Sequence, residues 1–183
     1  MQAEYSTSKE RGSPQGLITK LALRFGLGAG LVCAVWLLFL QWSGNNPFSP
    51  KQIMGLLVVP FVAAGSQWFL RRKMAPLRPG VGRTLAVGGL TVLLAALLAG
   101  LSAWGLAKVV GEPTLAQNRR ELLEITRVQQ NLRPKEKRNA AFENQELAQV
   151  AAVSGADLAM QTFKLTLILG MMLALPSGIF LRK

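Results

Sequence analysis

Histidine is missing from the 183 residues, and cysteine occurs once. The first absence excludes histidine ligation of haem, histidine-bearing zinc sites and imidazole general bases. The second excludes an internal disulfide and any thiolate cluster. Acidic residues are scarce, nine against 21 Lys and Arg, and none lies in a long apolar run. That removes the usual intramembrane carboxylate relay of ion-coupled transport. No phosphate-binding loop is present either. Gly26, Gly28 and Gly30 form a GxGxG string, but no strand precedes it and its flanks are apolar. These gaps argue against an enzyme, and they leave no residue assigned as catalytic, cofactor-binding or metal-ligating.

What is there is apolar surface in long blocks. Half the residues are hydrophobic and the mean hydropathy is +0.30. Uncharged runs of this length are read as membrane helices. The expected fold is therefore all-α, an integral membrane bundle of four transmembrane helices spanning about 25–42, 53–70, 84–107 and 158–181. Residues 109–157 are expected to form an extracytoplasmic helical hairpin between spans three and four. Residues 1–16 read as a polar, disordered cytoplasmic tail, and 17–183 as the membrane domain. The single Cys33 follows Leu31 and Val32 in a lipobox-like order. Val32 is too large for that signal, so the first run reads as a retained span.

The net charge of +12 would ordinarily raise nucleic acid as a partner. Its distribution points to a membrane instead. Arg71–Arg83 holds five cations and no acid: Arg71, Arg72, Lys73, Arg78 and Arg83. A short basic loop between two spans stays in the cytoplasm and favours anionic headgroups. Counting crossings from it puts both termini in the cytoplasm of a bacterial cell, with the chain in the inner membrane. Residues 109–157 hold seven charges of each sign, a solvated face first and a docking site second.

Within the spans, Gly26 and Gly30, and Ala95 and Ala99, have the small-xxx-small spacing that lets helices approach closely. Glycine is also simply frequent in membrane helices, so both readings of the first pair stand. Lys20 and Arg24 suit a headgroup-level turn before span one, and Trp42, Trp104 and Lys108 suit the outer interface. Ser66, Gln67 and Trp68 are expected to close span two at the inner interface. Pro60 should kink that span, and Pro176 should bend the end of span four. Lys164 is the one charge deep enough to be called intramembrane, and its long stem can snorkel outward.

Caps and breaks are expected at several points. Ser49-Pro50-Lys51-Gln52 and Thr114-Leu-Ala-Gln117 read as capping boxes, and Ser154-Gly-Ala-Asp157 as a weaker one. Gly111 and Pro113 should end span three. Leu115, Leu122, Ile125 and Leu132 form a heptad-like seam on the first hairpin helix, and Pro134 could start the second.

The Gly-rich first span, Asn-Pro-Phe-Ser before the second, and Gly-Val-Gly-Arg-Thr-Leu-Ala-Val-Gly-Gly-Leu after the basic turn form one layout with the charged insertion and the closing Leu-Arg-Lys. Over about Leu17 to Lys183 this resembles an uncharacterised family of four-span membrane proteins of Bacteroidetes, domain of unknown function 4199. The resemblance implies a fold and a location, and no activity or site residues. Two functions are expected in this order. The first is a structural or accessory membrane subunit that docks a membrane-protein partner, or its own copies, through the Gly/Ala faces and the hairpin. The alternative is a small oligomeric transporter or channel built around Pro60, Pro176 and Lys164.

Overall fold

In hydrocarbon the backbone can satisfy its N–H and C=O groups only within itself, so uncharged runs of this length must fold as helices. The computed structural model describes residues 14–76, 79–134 and 138–180, and among them there are six helices and no strand. These are α1 (Pro14–Trp42), α2 (Gln52–Leu56), α3 (Val58–Met74), α4 (Val81–Leu132), α5 (Ala140–Ala151) and α6 (Gly155–Phe180). Four stretches are long and apolar enough to cross a membrane: Gln15–Trp42, Gln52–Met74, Val81–Leu132 and Gly155–Phe180. The expected tail residues 1–13, Arg78, and Arg182 with Lys183 lie outside the described residues. Helix α1 already includes Pro14, Gln15 and Gly16, with the proline where a missing N–H costs nothing.

Helix α4 is central and packs against α1, α3 and α6. The middle of the core is dominated by small residues, Ala29 and Cys33 from α1, Ala63 from α3, Ala95 and Ala99 from α4, Ala174 from α6, joined by Leu56, Val59 and Val92. Larger side chains close the two ends. Ile18, Leu21, Leu70 and Val87 pack at one, Leu37, Phe48, Leu106 and Leu158 at the other. The outward faces are apolar, as in the stripe Leu27, Leu31, Val35 and Leu38 on α1 and Ile168, Met172 and Ile179 on α6. Ser66, Gln67, Thr84, Thr91, Thr162 and Thr166 are buried instead. Apolar outside and polar inside inverts the water-soluble pattern, and continuous apolar faces of this kind mark a surface that meets lipid.

Helix interruptions fall at identifiable residues. Span two is divided at Leu57, between α2 and α3. Pro60, in the first turn of α3, has no N–H for the Leu56 carbonyl four residues back. Span three breaks at Gly111, where φ is 70° and ψ −171°, and the chain resumes helix at once with Pro113 in the new first turn. Thr114 is therefore inside a helix, and the capping box expected there does not form, because the restart comes earlier. Ser49 caps nothing either. The Gln52 amide sits in the interior, where α6 offers a partner and water does not, and it donates to Thr162 Oγ1 at 2.7 Å. The second hairpin helix starts at Ala140 rather than at Pro134. Asn139 caps it by accepting from the backbone N–H of Ala141 (3.0 Å) and Phe142 (3.4 Å). The Ser154–Asp157 box does form. Asp157 Oδ2 accepts from Ser154 N at 2.9 Å and Ser154 Oγ at 2.6 Å, and Asp157 N donates back to Ser154 Oγ at 3.3 Å.

The Gly111 conformation belongs to a region of backbone space open almost only to glycine. Gly111→Ala is expected to destabilise the protein by about 1–3 kcal/mol. Thermal unfolding in detergent checks this, with Gly105→Ala, in ordinary helix with open space around it, as the neutral comparison.

Candidate functional site

The polar interior is concentrated in two places. Near the end that carries the basic turn, Gln67 of α3 is fully buried and bridges to α6. Its Nε2 donates to the Ala174 carbonyl at 2.8 Å, and its Oε1 accepts from Ser177 Oγ at 2.5 Å. Ser177 Oγ also lies 2.6 Å from the Leu173 carbonyl, so side chains serve the carbonyls just ahead of Pro176. Alongside, Thr91 Oγ1 of α4 donates to Ser66 Oγ at 3.2 Å, and Ser66 Oγ donates to Ala63 O at 2.7 Å. Gly88 of α4 faces the Gln67 amide, and any Cβ there would run into it. Ser66 and Gln67 thus join three helices in the interior. Of the three residues expected to close span two, Ser66 and Gln67 turn inward and Trp68 is half exposed.

At the opposite end, Asn46 in the α1–α2 loop donates its amide to Asn118 Oδ1 (3.0 Å) and Glu121 Oε2 (2.8 Å) on the far half of α4. Asn46 Oδ1 accepts from Phe48 N at 3.0 Å, which fixes the loop. On another side of α4, Arg119 donates to the Val153 carbonyl at 2.7 Å and pairs with Glu112. The extension of α4 is therefore tied to the bundle from two sides. Helix α5 folds back along it through Arg133–Glu146 (2.9 Å), Arg138–Glu143 (3.5 Å) and the Gln130 amide, which donates to Glu143 O at 3.0 Å. The remaining face carries Ile125, Val128 and Leu132, 39%, 58% and 79% exposed, at a spacing that puts all three in one stripe.

The small-residue pairs are used inside this chain. A Cβ at Gly26 would stand 2.8 Å from Leu94 Cβ, and one at Gly30 2.7 Å from Leu98 Cβ, so both glycines let α1 close on α4. Ala95 and Ala99 are fully buried in the central cluster. Arg71, Arg72, Lys73 and Arg83 are exposed at the ends of α3 and α4, with Arg72 5.7 Å from the Trp68 ring centre. At the other end Lys108 stands 4.1 Å over Trp104. Lys164 lies exposed on the outer face of α6, in a shallow depression with Asp157 and Gln161.

Residues 24–183 match the family described as "Protein of unknown function (DUF4199)". The chain belongs to the DUF4199 family. Comparison with curated proteins and with solved structures returns no match. In this DUF4199 chain the two polar joints and the exposed stripe on α4 are the most distinct features of the described residues. The inward role of Gln67 is not legible in the sequence, because a glutamine four residues before the basic turn reads as an interface residue. The one available signal was its phase: Ala63, Gln67 and Leu70 recur at helical spacing on the buried side.

The hairpin joint holds a carboxylate whose protonation is coupled to its hydrogen bonds. The hydrogen bond from Arg133, then that from Gln130, hold the Glu146 carboxyl below its ordinary value, while Arg133 is held above its own. A depressed carboxylate pKa stabilises the fold above the ordinary carboxylate range, and that contribution is lost as pH falls through the folded value. Amide exchange in α5, corrected for intrinsic rates, should therefore accelerate on acidification below the ordinary carboxylate range. In Glu146→Gln that extra acceleration should vanish. At the buried joint, Gln67→Leu should cost about 0.6–2 kcal/mol, the scale of interhelical hydrogen bonds in membranes. Gly88→Ala should cost about 1–3 kcal/mol by overpacking, and much less in a Gln67→Ala background. Unfolding of the four variants in one detergent reads the coupling.

Proposed function

We propose that this DUF4199 member is a multi-pass inner-membrane protein with cytoplasmic termini that acts as an accessory subunit, docking a protein partner through its external hairpin. The orientation is supported by the basic residues gathered at one end of the bundle, where Lys20, Arg24, Arg71, Arg72, Lys73 and Arg83 are all exposed. The observation that carries the docking role is the stripe Ile125, Val128 and Leu132. It stands on a helix anchored to the bundle by Asn46 and Arg119, and α5 covers the other side of that helix. A rigid, exposed apolar stripe edged with charge suits helix-in-groove recognition. Because Gly26, Gly30, Ala95 and Ala99 are occupied inside the bundle, docking is assigned to the hairpin alone.

The transporter or channel reading has weaker support. Its three motivating residues do not converge: Lys164 faces outward, Pro60 sits in a first helical turn, and Pro176 lies at the far end of α6. The buried polar groups bond to one another and are sealed, as Gln67, Ser66 and Thr91 are at 0% exposure.

The test is the triple substitution Ile125→Glu, Val128→Glu, Leu132→Glu, compared with wild type by gentle purification from native membranes and mass determination of what accompanies the protein. All three positions are exposed, so membrane level and melting temperature should hold while a stoichiometric protein partner falls by about tenfold or more, or 1.4 kcal/mol. Wild-type protein that purifies alone, or a partner retained in full by the triple variant, overturns the proposal.

A further inference from the structure

On the facing helices α1 and α3, Gly28 and Gly65 serve neither packing nor a turn. A Cβ at Gly28 or at Gly65 would meet nothing within 4 Å, and both lie in regular helix. Helical periodicity shows where they look. On α1, Gly28 shares a stripe with Arg24 and Phe25 on one side and Leu31, Val32 and Val35 on the other. On α3, Gly65 shares a stripe with Val58 before it and Phe69 and Arg72 after it. The two stripes face each other. Phe25 and Phe69 are in ring contact at 5.4 Å, and beyond the glycines a cavity of about 530 Å³ is lined by Leu31, Val32, Val35, Trp36 and Phe39 of α1, Met54 and Gly55 of α2, and Val58 at the start of α3. The α1–α3 seam is therefore a groove with an aromatic floor at the basic end. Its middle is cleared by two absent side chains, and its far part is an apolar hollow.

The basic end of this groove is unneutralised by the spans. No Asp or Glu occurs between Arg11 and Gly111, so Lys20, Arg24, Arg72 and Lys73 meet no carboxylate from the packed ends of α1, α3 or α4. Arg24 and Arg72 stand at the mouth, the latter against Trp68 at 5.7 Å. From Arg24 to Val35 the helix rises about 16 Å, close to half of a ~30 Å hydrocarbon core and so the depth of one leaflet. We propose that the α1–α3 groove is a binding site for one anionic phospholipid. Its phosphate pairs with Arg24 and Arg72, and one acyl chain lies over Gly28 and Gly65 with its end in the Leu31–Val58 hollow. Guanidinium groups bind phosphate with two parallel hydrogen bonds, and basic pockets between membrane helices favour anionic headgroups over zwitterionic ones.

The site is tested with protein reconstituted in vesicles of phosphatidylcholine containing about one fifth phosphatidylglycerol, a mixture in which surface charge alone gives weak selection. Mild release and native mass spectrometry then count the lipids that stay bound. Wild type should keep one phosphatidylglycerol in preference to phosphatidylcholine by about tenfold, equivalent to 1.4 kcal/mol. Arg24→Gln with Arg72→Gln should bring that preference near parity. Gly28→Leu with Gly65→Leu fills open space, so it should fold as well as wild type and lose the retained lipid. Arg83→Gln, on α4, should change nothing. Three results would each overturn the proposal: no preferential retention by wild type, full retention by the glycine-to-leucine variant, or an Arg83→Gln loss equal to that of the Arg24/Arg72 pair.

Discussion

Inside a membrane the lipid tails are as apolar as the helices, so burying a leucine between two helices gains little over leaving it in lipid. Close contact and internal hydrogen bonds must hold the bundle together instead, and the arrangement of this chain follows from that constraint. Five alanines and a cysteine, with Leu56, Val59 and Val92, occupy the middle of the core, while Leu27, Leu31, Leu38, Leu101 and other large apolar side chains point outward. The approach is close enough that Gly26, Gly30 and Gly88 have no room for a single extra carbon. A polar group in such an interior has no water to turn to, so each must find its partner on another helix or on its own backbone. Gln67 reaching to α6, Gln52 reaching to Thr162 and Thr91 reaching to Ser66 are three solutions of the same problem.

The helix breaks obey the same rule. Proline at 176 has no N–H for the Met172 carbonyl of α6, and the next two carbonyls, of Leu173 and Ala174, accept from the Ser177 hydroxyl and the Gln67 amide. Gly111 breaks span three at the hairpin end, near the exposed Lys108 and Val109, where unsatisfied groups can be solvated. Beyond it the interactions change character. Amides and ion pairs tie the extension of α4 to a loop and to α5, and the most exposed apolar side chains of this part, Val128, Leu132 and Phe142, are left over rather than packed.

Much of this was legible in the residues. The spans follow from uncharged length, the Gly111 break from a glycine two residues before a proline, and the Ser154–Asp157 cap from its local pattern. What was not legible depended on contacts distant in sequence. Ser49 to Gln52 has the form of a capping box, but Gln52 has a better partner 110 residues away. Asn139 was overlooked beside Pro134, because proline is the louder signal and a capping asparagine is recognised only once the helix after it is known. Ala95 and Ala99 could be read as an outward docking face or as core with equal justification. Spacing specifies which residues share a face of a helix, and it does not say which neighbour that face meets.

That last distinction decides where this protein can engage anything else. Each small-residue surface turned inward is lost to partners, and the bundle turns nearly all of them inward. Gly28 and Gly65 have a different geometry, since on the facing helices α1 and α3 they leave a gap beside the contact instead of making the contact. A gap facing lipid is filled by whatever has the right shape and charge in the surrounding leaflet, and at its mouth this one offers guanidinium groups. The hairpin offers the reverse, an apolar stripe presented in a charged surrounding. On the two proposals, one surface would select from the bilayer and the other from proteins on the solvent side. Helix α4, which packs on α1 before the Gly111 break and on α5 after it, is the element the two have in common.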